Sequence, residues 1–413
     1  MRRLDVAFIA ILAALTNILY FHSSAGDYFY PDSFTYLGPA KMLLAGHGFA
    51  ERPGLPEVMR TPVYPLLLAL FGTRAAPVVV LQHLLNVALA VAIYLFAARR
   101  GRFVAIAAAI LFAVDPLTIH YANKVLTETL FTALLFVVFV MPPRWPVVHG
   151  LLVGILVLTR PVAIAYFVVV AVVFALVRVS RRTIAIFVAA ALALPLAWAW
   201  RNRIEGGDFT VSVIGANNLL MYRAAGVMAI LDDGDFKNDL AAEQNDLLAE
   251  AHDVIEREKH VDAAEDLPEG VRAPYYSAVA RRVIAQHPVA FARLTLRGLR
   301  VNVFDSDWAA LAMVSRFDAH TIELAVDAFV AVVFFLAVAG IAALWRDDRA
   351  LALLLAGTVA YFLVISAGGE AEARFRVPVV PQISIAAAAG LDLLRRKIRH
   401  ARPAPGGAPL PNQ

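Results

Sequence analysis

Long apolar runs recur along this 413-residue chain, and they limit its fold more than any other feature. A helix needs about 20 mostly apolar residues to cross a hydrocarbon core of roughly 30 Å. Inside lipid every backbone polar group must be satisfied within the protein, which leaves helices or closed barrels. With 60% hydrophobic residues and a mean hydropathy of +0.68, the chain excludes two or three soluble domains and reads as an all-α polytopic membrane protein. The runs predict spans near 4–21, 76–98, 103–119, 124–141, 147–160, 162–178, 183–200, 323–345, 350–367 and 377–394. Alternate loops carry Arg2-Arg3, Arg99 to Arg102, Arg144, Arg178 to Arg182, Arg346 to Arg349 and Arg395 to Arg399. The positive-inside rule places these in the cytoplasm, so the expectation is about ten transmembrane helices with both ends inside.

The isoelectric point near 9.3 comes from those short loops, so it reports orientation and not nucleic-acid binding. The absence of cysteine excludes disulfides and thiolate metal sites. Arginine far outnumbers lysine and alanine is abundant, which points to a GC-rich bacterial genome and to the bacterial cytoplasmic (inner) membrane. The first run follows a basic start but has more spans after it, so it is read as a span and not as a cleaved leader.

Two long segments, 22–75 and 201–322, fall on the side opposite the arginine loops. The first is semi-apolar and predicts helices lying in the interface. The second contains an acidic helical stretch from Asp235 to Glu269 and predicts a small extracytoplasmic helical cap. The expected units are 1–200 as a membrane module including loop 22–75, 201–322 as the cap, 323–400 as C-terminal spans, and 401–413 as a disordered cytoplasmic tail. That tail, ARPAPGGAPLPNQ, is rich in proline and glycine. No internal repeat is visible.

Chemistry concentrates on the same outer side. Asp32 follows the first span, and Tyr36 lies four residues on, on one helix face. Asp32 also suits a plain helix N-cap. Glu128 opens an otherwise apolar span, where a carboxylate costs about 2.5–3.5 kcal/mol at the centre and less at the edge. It therefore faces either a polar partner or the helix dipole. Asp115, before Pro116, reads as a structural cap. Arg60, Arg160, Arg201, Arg203, Arg374 and Arg376 gather on this side. Arginine suits phosphate because its planar fork donates two parallel hydrogen bonds; each could equally meet lipid headgroups. No histidine has metal-ligand spacing.

In these residues the chain resembles the GT-C glycosyltransferases, specifically the branch of protein O-mannosyltransferases and the lipid A aminoarabinose transferase. The similarity lies in Asp32 with Tyr36, GHGF at 46–49, Arg60-Thr61-Pro62 with Tyr64-Pro65, Thr127-Glu128-Thr129-Leu130-Phe131, LTRP at 158–161 and RFRVPVVP at 374–381. It covers the first 200 residues and the last span. Ser33 stands where relatives of the lipid A enzyme have a second acid, and Arg60-Thr61 where they have Glu-Lys. The resemblance implies an inverting transferase moving a sugar from a polyprenyl-phosphate donor to a lipid, glycan or protein acceptor at the extracytoplasmic face. It implies Asp32 as general base, with Glu128 orienting the acceptor or sharing the proton. Arg60, Arg374, Arg376, Arg201 and Arg203 would bind the donor phosphate, and Tyr36 and Tyr64 would position substrate. Some relatives use a divalent metal, and this sequence leaves that open. A transporter or flippase of lipid-linked sugars, a pyrophosphate-donor ligase and a non-catalytic subunit are the alternatives.

Overall fold

The computed structural model describes residues 2–232, 234–305 and 318–401; apart from its first residue, the tail expected to be disordered lies outside them. The chain opens with α1 (Arg2–Ser23), which exposes Leu4, Phe8, Ile11, Leu15 and Ile18 as a stripe suited to lipid. The segment 22–75, expected on the outer side, follows with α2 (Ser33–Leu44), a small hairpin of β1 (Ala50–Arg52) and β2 (Leu55–Pro56), and α3 (Val63–Leu70). Gly46 and Gly48 end α2 with φ of +78° and +75°, a left-handed backbone that a side chain would strain.

The membrane layer continues with α4 (Ala75–Ala97), α5 (Arg102–Ala113), α6 (Pro116–Ala122), α7 (Glu128–Val140), α8 (Pro146–Thr159), α9 (Tyr166–Leu176) and α10 (Arg181–Gly206). Next come α11 (Ile214–Asn218), α12 (Ala225–Leu231), α13 (Phe236–Lys259), α14 (Glu269–Gln286) and α15 (Pro288–Phe304). The last helices are α16 (Ala319–Asp347), α17 (Arg349–Ile365) and α18 (Val380–Ala401).

The chain is an all-α multi-pass membrane protein, but the expected ten spans are not there. Among the described residues six helices are long and apolar enough to cross a membrane, or seven if the pair α5–α6, bent by 51°, counts as one. The runs at 124–141, 147–160, 162–178 and 350–367 contain helices of only 13, 14, 11 and 17 residues. At 1.5 Å per residue these reach about 17–26 Å, short of a full hydrocarbon core. Hydropathy counted apolar residues without seeing the breaks that use them up. Asp115 caps α6 after a bend, accepting from Thr118 N at 2.8 Å, and Arg160 ends α8 in extended backbone before Pro161.

The last span lies at the centre: its apolar window is 72% buried, against 22% for α1. Its ISIAAAAG run packs small residues inward, with Ala386, Ala387 and Ala388 fully buried. A Cβ on Gly340 of α16 would overlap the Ala386 carbonyl oxygen, so the two helices approach backbone to backbone. Residues 214–304 build a second core, with Leu220, Ala224, Val227, Leu247, Ile255, Tyr276 and Leu294 packed together. The Ile214–Leu231 segment counts among the six by length and composition, yet its apolar face serves this second core.

Two ends of the bundle differ in character. At one, Arg102 binds the buried Asp5 carboxylate at 2.6 Å and Arg100 pairs with Asp348. At the other, the outer loop, the start of α7 and the segment before α18 converge.

Candidate active site

Asp32 occupies the N-cap position of α2, but its side chain makes no cap hydrogen bond. It turns instead toward two cations. Arg374 Nη1 donates to Oδ2 at 2.9 Å, and Arg60 Nη2 donates to Oδ1 at 3.3 Å. Burial opposes ionisation of Asp32, but Arg374 and Arg60 outweigh it and hold the carboxyl below the usual range.

Each arginine has its own support. Arg60 Nη1 donates to the Tyr36 hydroxyl at 3.2 Å, and its guanidinium lies 4.6 Å from the Tyr36 ring centroid. Tyr36 meets Tyr64 edge-on at 5.4 Å. The Tyr64 hydroxyl donates to Gln82 at 2.9 Å, and Gln82 in turn bonds the Ala122 and Lys124 carbonyls. Tyr64 is fully buried with its hydroxyl occupied, so it braces Tyr36. Arg374 pairs with Glu372 at 2.7 Å and lies 4.9 Å from the Tyr30 ring and 5.2 Å from the Phe375 ring.

Glu128 stands 2% exposed at the start of α7. Its Oε1 is 2.8 Å from Arg160 Nη1, and among the described residues its Oε2 has no hydrogen-bond partner. It lies within electrostatic reach of Arg374 and Tyr64, as Arg160 does of Asp32. One charged layer therefore holds Asp32, Glu128, Glu372, Arg60, Arg160 and Arg374.

The other cations named from sequence are engaged elsewhere. Arg376 is 4% exposed and donates to the carbonyls of Asn302, Val303 and Asp305, tying α15 to the last span. Arg201 donates to the Glu57 and Phe49 carbonyls at 2.6 and 2.7 Å, pinning the outer loop to α10. Arg203 closes its own helix end on the Gly207 carbonyl at 2.5 Å. These three arginines serve backbone, a role that residue type alone did not reveal.

Three groups went unread in the sequence. Glu57 accepts from the backbone N–H groups of Met59 and Arg60 at 2.6 and 2.7 Å, and so shapes the turn that carries Arg60. Burial pushes its carboxyl up to about 7. Glu372 sits in the acidic run GGEAEAR directly before Arg374, a signal that was available. Tyr222 comes from a π-helical turn, Leu219–Ala224, and lies within electrostatic reach of Asp32, Glu372 and Arg374. That turn is fixed by Arg223, which bonds Glu370 at 2.7 Å and the Ile365 carbonyl at 2.7 Å, and by Gln244, which donates to the Met221 carbonyl at 2.7 Å. Such turns recur at functional sites.

Among the described residues no group of three or more His, Asp or Glu side chains could hold a metal ion. Asp32 and Glu128 both face guanidinium groups, and that donor set does not fit a divalent cation. A carboxylate and two partly buried guanidinium groups can instead hold a phosphate and take a proton from a hydroxyl.

No family profile describes this chain, and no curated protein matches it. Solved structures do. The oligosaccharyltransferase of Archaeoglobus fulgidus, tethered to an acceptor peptide with the NVT sequon, aligns with a TM-score of 0.52 and 13% identity over 96% of this chain. The same enzyme in its apo form aligns at 0.50 with 14% identity, again over 96% of this chain. This chain spans about half the length of those structures, 50% and 52%. At such identities the likeness is one of fold. It shows that this chain folds like those oligosaccharyltransferases, and it does not favour the O-mannosyltransferase or aminoarabinose-transferase branch.

Proposed function

We propose that the chain is a membrane glycosyltransferase that moves a sugar from a polyprenyl-phosphate donor to an acceptor hydroxyl, at the extracytoplasmic face of a bacterial inner membrane. The observation that carries this reading is the Asp32 carboxylate, turned away from its helix and held between Arg60 and Arg374, on a fold like that of an oligosaccharyltransferase. In the transfer step the acceptor oxygen attacks the anomeric carbon from the face opposite the phosphate, and configuration inverts. The new C–O bond forms, the bond to the phosphate oxygen breaks, and the acceptor proton passes to Asp32. Arg60 and Arg374 neutralise the charge that gathers on the departing phosphate, an electrostatic role that needs preorganised donors. Glu128, held by Arg160, sets the potential behind them.

The fold likeness to an oligosaccharyltransferase tethered to an acceptor peptide favours a second reading, in which a peptide is the acceptor, and a pyrophosphate-donor ligase is the form that reading takes here. One experiment addresses both. Radiolabelled polyprenyl-phosphate and polyprenyl-pyrophosphate sugars are offered to membranes carrying the wild-type chain or Asp32→Asn. Transfer from a monophosphate donor is expected, with a loss of about 10²–10⁴-fold in the variant, the usual worth of a positioned base. Transfer only from pyrophosphate donors would favour the second reading, and equal transfer by both chains would remove Asp32 from the chemistry.

A further inference from the structure

We infer that Asp32 and the anionic phosphate of the ligand compete for Arg60 and Arg374, so that binding of the phosphate releases the carboxylate for use as a base. The inference rests on the polyprenyl-phosphate reading above and adds a regulatory step to the same site.

Asp32 is the most exposed member of the cluster, its side chain 34% exposed against 13% for Arg60 and 12% for Arg374. The carboxylate can therefore give way toward solvent more readily than either guanidinium group. Both arginines have holds that do not involve Asp32: Tyr36 for Arg60 at 3.2 Å, and Glu372 for Arg374 at 2.7 Å. They would stay in place when the carboxylate leaves. Arg60 Nε is buried and has no hydrogen-bond partner among the described residues, a donor left over that a phosphate oxygen can satisfy.

The exchange also balances charge. Arg60 and Arg374 face Asp32 and Glu372, two cations against two anions. A phosphate diester in place of Asp32 presents one negative charge to the two guanidinium groups, as the carboxylate does, and the arginine fork matches its oxygens. A carboxylate that loses two neighbouring cations becomes a stronger base. Between Arg374 and Arg60, Asp32 is held below the usual carboxylate range, a poor base. The group that makes the leaving site occupied thus also makes the base competent, and an empty site stays inert toward acceptors.

The test is binding of farnesyl phosphate to the full-length chain in nanodiscs. Asp32→Asn and Asp32→Ser should bind it roughly tenfold more tightly than wild type, about 1.4 kcal/mol, although both lower transfer by about 10²–10⁴-fold. Arg60→Ala and Arg374→Ala should bind it more weakly. Unchanged or weaker binding by folded Asp32 variants, with weaker binding by the arginine variants, overturns the competition and leaves the phosphate reading standing. Wild-type affinity in the arginine variants overturns both. A second measurement avoids variants. In carbon-13 aspartate infrared difference spectra of the wild type, farnesyl phosphate should move one carboxylate band out of its guanidinium environment. No shift, or the same shift with farnesol, overturns the competition. An equal shift with inorganic phosphate supports it and assigns the phosphate to a free anion.

Discussion

Glu57 titrates in an unusual range because burial against the outer loop and the nearby Glu269 raise its carboxyl to about 7, from an ordinary value of 4.5. The folded chain keeps this proton up to about pH 7, whereas an unfolded chain releases it near 4.5. Its contribution to stability is therefore complete below pH 4.5 and is lost as pH rises through 7. Glu57→Gln keeps an acceptor for the Met59 and Arg60 N–H groups but cannot titrate. The melting temperature of wild type relative to this variant should fall between about pH 5 and pH 8; a constant difference would mean that Glu57 titrates as an ordinary loop acid. In sequence, nothing set Glu57 apart within the semi-apolar segment 22–75. Its burial depends on Val58 packing against Val213 and Ala273, more than 150 positions away along the chain. Asp32, Arg60 and Arg374 were legible as residues from short motifs. That Arg374 would meet Asp32 was not, because 342 positions separate them.

Helices α7 and α8 meet through the Glu128–Arg160 pair, with side chains 2% and 15% exposed. Removing one member leaves an uncompensated buried charge, which typically costs about 3–5 kcal/mol, while replacing both with apolar residues is often neutral. Thermal unfolding in detergent should therefore show Arg160→Met well below wild type and Glu128→Leu with Arg160→Met close to it. A double variant as unstable as the single one would mean that the pair is held by more than its mutual charge. Element identity was readable from apolar periodicity, but element length was not. Short helices such as α9 and α7 stop where prolines, caps and charge pairs take residues out of the apolar run, and those interruptions look minor to an average over 18 positions. The π turn at Leu219–Ala224 was also hidden. Its sequence, LLMYRA, is ordinary helix former, and the widened turn is held from outside by Gln244, Arg223 and the bare backbone of Gly369.

At the scale of the molecule, the charged layer around Asp32 and the arginine-bearing ends lie at opposite ends of the bundle. Arg374 precedes the last helix and Arg396 lies 22 positions later, roughly 30 Å along a helix. The chain has no cysteine, so single-cysteine labelling can read sidedness without a background. Glu51→Cys, exposed in the hairpin of the same loop, should react with a membrane-impermeant maleimide in intact cells, and Ser180→Cys only after the membrane is opened. The reverse pattern would place the Asp32 layer in the cytoplasm and sink the extracytoplasmic assignment. What the sequence alone determined was the solvent: backbone polar groups and apolar side chains answer to their own surroundings, so run length and composition dictate a multi-pass helical protein. Charge asymmetry along the loops added the expected orientation for the same local reason. Only the tertiary structure decided how many helices reach full length and which arginines face Asp32 and which hold backbone carbonyls. Those outcomes depend on groups far apart in the chain meeting where water is scarce, and there a charge is worth whatever partner the fold brings to it.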